Sequence, residues 1–386
     1  MENQRKSSRF YDHNHYKQHW EYKEKNLVLN LFIIKMEYFL FGLIMVFVSV
    51  GGLLLFKKLH VLDKPSDLKN TRKPVPTLQG VFVVLGLIIG VGVLYPEYFS
   101  SRLFLLLIPG LLIGVVELIE ELSYLGRFPK IPPFVRLIVH FVSAFLAVWI
   151  GGIGNQELIL AEVYQIPNWI FTIGFMIWTM FCINAINRFD GIYAQGSVSA
   201  IGFLTVFLLI KYIVFQSYTE FPNLEVLTMV QNLAFFLFVT SMIYAVIEFK
   251  PLGLVRDVGI MFFGFALAYL AVAGGAKITL IVALSLPIFD AIWVGLYRIF
   301  ILRKNPLKGD YTHFHHRLLG LGLTRGETRA FIRIWSLMMM VLMLLQANRF
   351  SKVVIFVMMA MLFFGVNWYL FIYKKLPCGL AIQKER

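Results

Sequence analysis

Cysteine is nearly absent from this sequence. Only Cys182, inside an apolar run, and Cys378, near the end, occur among 386 residues. That pair supports neither a disulfide framework nor a thiolate metal site. Charge is also sparse, at 15% of the chain, and acids are scarcer than bases, with 22 Asp and Glu against 36 Lys and Arg. Residues 1–30 hold no small-residue cleavage site behind an apolar core, so they read as a polar arm rather than a signal peptide. The alternating polarity that a β-barrel wall needs is missing too. What fills the chain instead is apolar, 59% hydrophobic and 16% aromatic, with a mean hydropathy of +0.73. Continuous apolar runs of about twenty residues recur, long enough to cross a hydrocarbon core of roughly 30 Å. The expected class is an all-α polytopic membrane protein.

Spans suggest themselves near 36–56, 79–95, 103–119, 134–153, 168–187, 195–215, 227–247, 258–274, 277–299, 330–346 and 353–373. That makes about eleven transmembrane helices. They occupy a membrane domain over 34–376, between a polar N-terminal arm (1–33) and a short C-terminal tail (377–386). The net charge of +14 invites a nucleic-acid reading, but the cations sit mostly in alternate loops. Membrane topology accounts for that pattern, and no nucleic-acid partner is expected. Loop 57–78 holds Lys57, Lys58, Lys64, Lys69, Arg72 and Lys73, and loop 300–329 holds Arg303, Lys304, Lys308, Arg317, Arg325 and Arg329. Arg127, Lys130, Lys250 and Arg256 fall in two more loops of this set, whereas the opposite set carries Glu157, Glu162, Glu220 and Glu225. The positive-inside tendency makes the first set cytoplasmic, which puts the N-terminus outside and the C-terminus inside. The cationic arm (Arg5, Lys6, Arg9) points the other way. Basic loops of this kind also attract anionic lipids and phosphorylated substrates.

Five polar stretches fall on that cytoplasmic side. Arg72-Lys73-Pro74 leads into the second span, either as a topogenic loop or as a phosphate clamp. Glu117-Leu-Ile-Glu120-Glu121 ends the third span with three carboxylates able to share a face, as a solvated helix end or as a general base. Asn184-Ala-Ile-Asn187-Arg-Phe-Asp190-Gly191 sets two carboxamides and a carboxylate three residues apart, so all share one helix face. Such groups at a membrane boundary are costly unless they bind one another, an ion or a substrate, although a helix-ending polar cluster is the plainer alternative. In Arg256-Asp257-Val-Gly259 the aspartate is either a helix cap or an oxygen ligand that joins Asn187 or Asp190 on Mg²⁺. Thr312-His313-Phe-His315-His316-Arg317 crowds imidazoles beside a guanidinium, donors better suited to phosphate and sugar oxygens than to zinc.

Taken together and in order, from about Asp63 to Leu318, these stretches resemble the polyprenyl-phosphate N-acetylhexosamine-1-phosphate transferase family. The His-rich loop is closer to its GlcNAc-1-phosphate branch than to its peptidoglycan branch. Asn184 to Gly191 matches the family's Asn-x-x-Asn-x-x-Asp-Gly. Arg256-Asp257-Val-Gly259 looks like its Gly-Asp-Val-Gly-Ser, in which the Asp is a magnesium ligand. Pro133-Phe-Val-Arg136-Leu follows the glutamates as a Pro/Arg segment follows the family's Asp-Asp pair. The sequence departs from the pattern where Glu120-Glu121 replaces Asp-Asp, Arg256 replaces Gly and Ile260 replaces Ser, and where Ile192-Tyr193-Ala-Gln195-Gly196 takes the place of the second Asp usual after Asp-Gly.

The resemblance implies an Mg²⁺-dependent enzyme, with Mn²⁺ as the alternative ion. It would transfer a hexosamine 1-phosphate from a UDP-N-acetylhexosamine to polyprenyl phosphate, starting a cell-surface glycan at the cytoplasmic face of the plasma membrane. Its partners would be those two substrates, the lipid bilayer and, as a homodimer, a second copy of the chain. In that reading Asn187 and Asp257 hold the metal, and Glu120, Glu121 and Asp190 are the catalytic carboxylates. Lys73, Asn184, Arg256, His313, His315, His316 and Arg317 bind substrate. The alternatives are a catalytically impaired relative kept as a lipid-binding or assembly protein, and a membrane transporter.

Overall fold

The computed structural model describes residues 36–63, 74–100, 107–151, 157–159, 163–165, 167–189, 224–250, 252–273, 277–303, 312–345 and 349–373. Lys73, Asp190, the arm, the tail and the expected span 195–215 lie outside the described residues. The helices in chain order are α1 (Met36–Lys58), α2 (Gly80–Leu94), α3 (Leu107–Tyr124), α4 (Pro133–Gly151), α5 (Asn168–Phe189) and α6 (Leu224–Phe249). There follow α7 (Arg256–Ala273), α8 (Lys277–Ala283), α9 (Ser285–Leu296), α10 (Phe314–Gly320), α11 (Arg325–Leu345) and α12 (Arg349–Asn367). Two short antiparallel ribbons add to the all-α expectation, Leu62–Asp63 with Val75–Pro76 and Glu157–Ile159 with Val163–Gln165.

Among the described residues six helices are long and apolar enough to cross a membrane, or seven if α8 and the segment from Ser285 count as one bent span. The expected span 79–95 forms a helix of 15 residues, about 22 Å long at 1.5 Å per residue, which is short of the hydrocarbon core. Where a straight helix was expected over 277–299, the chain bends by 64° at Leu284. Pro287 explains the bend, because it has no N–H to give the carbonyl of Ala283 four residues back. The helices α3 and α11 are apolar but interrupted by charge, with Glu117, Glu120 and Glu121 on one and Arg325, Glu327, Arg329 and Arg333 on the other.

The centre of the bundle is α7. Every residue from Val258 to Val272 is buried, as expected of a helix that is apolar all round. Glycines let its neighbours come close. A methyl at Gly80 would stand 2.2 Å from the backbone nitrogen of Gly259, and one at Gly264 would stand 2.7 Å from the Cα of Ile183. The α5–α7 pair is antiparallel, since Trp178 Nε1 donates to the carbonyl of Ala268 (3.0 Å) while Ile183 faces Gly264. The start of α7 is therefore at the same end of the bundle as the end of α5.

Backbone pairing fixes that start. The Leu254 N–H donates to the Pro76 carbonyl (2.9 Å), Gln79 N–H to Leu254 (2.9 Å) and Gly80 N–H to Val255 (3.0 Å). Glu248, fully buried at the end of α6, accepts from Val255 N–H at 2.9 Å. The loop before α2 and the turn before α7 are thus stitched together, and the next two residues are Arg256 and Asp257.

Candidate functional site

Four carboxylates and a guanidinium from α3, α4 and α7 meet at the start of the central helix. Glu117 is fully buried and chelated by Arg136, whose Nε donates to Oε1 at 3.1 Å and whose Nη2 donates to Oε2. His140, one turn beyond Arg136 on α4, donates from Nε2 to the same Oε1 at 2.9 Å. The guanidinium then reaches outward, with Nη1 3.5 Å from Glu120 and Nη2 3.9 Å from Asp257.

Glu120 and Glu121 are both buried and occupied. Glu120 Oε2 accepts the N–H of Ile131 at 3.2 Å, which ties down the α3–α4 connection. Glu121 Oε1 accepts the N–H of Val258 at 3.2 Å and so caps the first turn of α7. Burial pushes the Glu121 carboxyl well above the usual range, and the nearby charge of Asp257 adds to this. Asp257 differs from the glutamates: its side chain is 29% exposed, against 0% for Glu117 and 2% for Glu120.

Arg256 adopts φ 63°, the left-handed region that favours glycine. This is the position at which the resemblance has Gly, so the backbone shape is present here on a residue that resists it. Its guanidinium acts electrostatically on both Glu121 and Asp257.

On α5, Asn184 is exposed and donates its Nδ2 to the carbonyl of Met180 at 2.7 Å, while Asn187 is half-buried. With Ile183 opposite Gly264 and the helices antiparallel, Asn187 stands about three residues, or 4–5 Å, from the level of Asp257 along α7. The two expected metal ligands are therefore at neighbouring helix ends. Among the described residues no three His, Cys, Asp or Glu side chains converge on a cation site. One open carboxylate beside a carboxamide fits Mg²⁺ instead as an ion held by one or two protein oxygens and completed by substrate phosphates and water.

The His-rich segment forms a second cluster, around Asp290 of α9. Asp290 Oδ2 accepts from His313 Nδ1 at 2.9 Å, and Oδ1 accepts from Phe314 N–H and Arg317 Nη2, each at 2.7 Å. Arg317 is fully buried, donates its Nη1 to Asn367 Oδ1, and lies against the rings of Trp293, Phe314, Phe363 and Phe371. That leaves it no open face for a ligand. His313 is 21% exposed, with Nδ1 committed to Asp290. His315 is buried against His316, and burial takes its pKa down to about 3. Arg298 Nε donates to Thr312 Oγ1 at 3.1 Å, which anchors the entry to this segment.

Sequence reasoning did not single out Arg136, His140 or Asp290 as site residues. Arg136 and His140 could have been found as two polar residues four apart in an otherwise apolar helix, a spacing that puts both on one face. Asp290 carried a similar signal, as an isolated acid inside an apolar span.

No family model matches the chain. It is 24% identical over 277 residues to a probable undecaprenyl-phosphate N-acetylglucosaminyl 1-phosphate transferase of Bacillus subtilis, covering 69% of this chain and 72% of that one. It is also 24% identical over 271 residues to an undecaprenyl-phosphate alpha-N-acetylglucosaminyl 1-phosphate transferase of Thermotoga maritima, covering 67% of this chain and 73% of the relative. The chain, an all-α bundle with six or seven candidate membrane spans among its described residues, is thus similar over about two thirds of its length to two undecaprenyl-phosphate N-acetylglucosaminyl 1-phosphate transferases, which supports the family that its motifs resemble.

Proposed function

We propose that the chain transfers a sugar 1-phosphate from a UDP-N-acetylhexosamine to polyprenyl phosphate. A phosphate oxygen of the lipid attacks the β-phosphorus of the donor, the bond from that phosphorus to the UMP oxygen breaks, and UMP leaves with the electron pair. The observation that carries this reading is the open Asp257 carboxylate at the start of a fully buried helix, framed by Arg136 and Arg256. The names of the two relatives supply the acceptor and the transferred group. Mg²⁺, or Mn²⁺ in its place, would be held by Asn187 and Asp257 and would offset charge on the diphosphate. The attacking lipid phosphate is already anionic, so placing it and neutralising it matter more than removing a proton.

In this reading Glu120 and Glu121 work through the backbone they hold, keeping Asp257 at the mouth of the bundle. Arg136 and Arg256 face the diphosphate, and His313, oriented by Asp290, belongs to the set that holds the diphosphate or sugar. Arg317 acts by fixing Asp290, and His315 by packing beneath His316. Lys73, Asn184 and His316 complete the substrate-binding set, and Asp190 positions the nucleotide or the metal shell. The positive-inside pattern supports a site on the cytoplasmic face of an eleven-span plasma-membrane protein.

The test is UMP release by purified protein in detergent, with undecaprenyl phosphate, Mg²⁺ and a panel of UDP-N-acetylhexosamines. Metal-dependent release with one donor, lost in Asp257→Ala, is the expected result. The second reading, a catalytically silent relative, is favoured by the burial of both glutamates. Folded protein that releases no UMP with any donor would select it.

A further inference from the structure

Glu117 and His140 have no part in the transfer as described, yet both are polar and buried inside apolar helices. Glu117 is 0% exposed and His140 5% exposed. A buried ion pair such as Glu117 with Arg136 is a poor way to stabilise a fold, since apolar residues of the same volume usually do as well or better. Its geometry shows what this pair does instead. One edge of the Arg136 guanidinium is taken by Glu117, and His140 holds the carboxylate from behind at 2.9 Å. The remaining nitrogen, Nη1, is 3.5 Å from Glu120, and the gripped Nη2 also lies 3.9 Å from Asp257, both within ion-pair reach but beyond a good hydrogen bond. Arg136 itself is 21% exposed. It is held on its sealed side and presented on its open side.

We infer that Glu117 and His140 form a buried clamp that fixes the Arg136 guanidinium at the mouth of the site, which makes Glu117 a positioning residue for the proposed transfer. The inference rests on the transfer reading for its kinetic consequence, but not for the clamp itself. A planar guanidinium gripped along one edge loses the freedom that an unclamped arginine would have to give up on meeting a phosphate. Glu117→Gln keeps the size of the side chain and removes the charge that grips Arg136. His140→Ala loosens the carboxylate without removing it, and His140→Gln restores a donor.

The experiment has two readouts on the purified full chain. The first is phenylglyoxal modification of Arg136, followed by peptide mass spectrometry against the exposed Arg127 as internal reference. Release from the clamp should raise the Arg136 rate at least about fivefold in Glu117→Gln and in His140→Ala, because a chelated guanidinium is shielded by its carboxylate. The second is UMP release, in which Glu117→Gln should lower kcat by about 30-fold and leave KM for the UDP-sugar within about threefold. His140→Gln should fall between wild type and His140→Ala on both readouts. If Glu117→Gln does not fold, the two His140 variants carry the test. Unchanged Arg136 reactivity overturns the clamp, and raised reactivity with unchanged kcat overturns the positioning role. A wild-type protein that releases no UMP with any donor defeats the transfer reading instead, while the reactivity ratio still decides the clamp.

Discussion

The cluster at the start of α7 and the cluster around Asp290 use the same kinds of side chain and differ in how they are sealed. At α7 the guanidinium of Arg136 and the carboxylate of Asp257 are 21% and 29% exposed, 3.9 Å apart, and neither is saturated by the other. Around Asp290 the ion pair is closed at 2.7 Å, its arginine is 0% exposed, and four aromatic rings surround it. Loosely paired charges at a surface remain available to a ligand, whereas a tightly paired and desolvated set is committed to holding its own elements in place. The stretch with the densest polar sequence is thus mostly architecture. The modest Arg256-Asp257 pair is the open face.

That contrast can be broken most decisively at Asp257. Asp257→Ala should lower UMP release by at least about 10³-fold, roughly 4 kcal/mol of transition-state stabilisation, while the melting temperature moves little. A loss below about tenfold would shift the reaction centre towards His313. Arg317→Met should show the opposite pattern, because it strands Asp290 in the interior at a cost of about 3–5 kcal/mol, read as a lower melting temperature and poor recovery in detergent. Adding Asp290→Asn to that variant should return part of the stability.

Acid should separate the two clusters further. The folded chain holds His315 at a pKa of about 3, against 6.5 without the fold, because burial and the neighbouring His316 disfavour its charge. The unfolded chain therefore takes up a proton that the folded chain refuses. Stability falls as pH drops below 6.5, by about 2 kcal/mol at pH 5. His315→Phe should flatten that slope in thermal melts at pH 5 and pH 7. The smallest effect is expected at Arg256, where Arg256→Gly relieves the left-handed backbone and should raise stability by about 1 kcal/mol. The same variant should raise KM for the UDP-sugar if the guanidinium meets the diphosphate.

Much of this was legible in the sequence. The apolar runs located α1, α4, α5, α6, α7 and α12 to within a few residues, because about twenty apolar residues in a row have few other uses. The motifs of Asn187 and Asp257 are also legible in the sequence, and the antiparallel packing of α5 on α7 sets these two residues near one level, while their role as metal ligands stays part of the proposal. What the sequence concealed depends on contacts between helices. Glu117 meets Arg136 and His140 across 19 and 23 residues, and no local spacing encodes that meeting. Arg317 looks like a loop cation beside histidines. Its cage comes from Trp293, Phe363 and Phe371, all distant in the chain. The left-handed turn at Arg256 was hidden for a different reason, since arginine is a residue that this conformation disfavours.

The central claim is that the bond broken lies between the β-phosphorus and UMP. Donor UDP-N-acetylhexosamine carrying ³²P at the β-position tests it directly, with undecaprenyl phosphate, Mg²⁺ and purified protein followed by extraction into organic solvent. Sugar 1-phosphate transfer predicts that the label moves into the lipid phase with release of unlabelled UMP. Label left in the aqueous phase as UDP, with the sugar alone on the lipid, would contradict it.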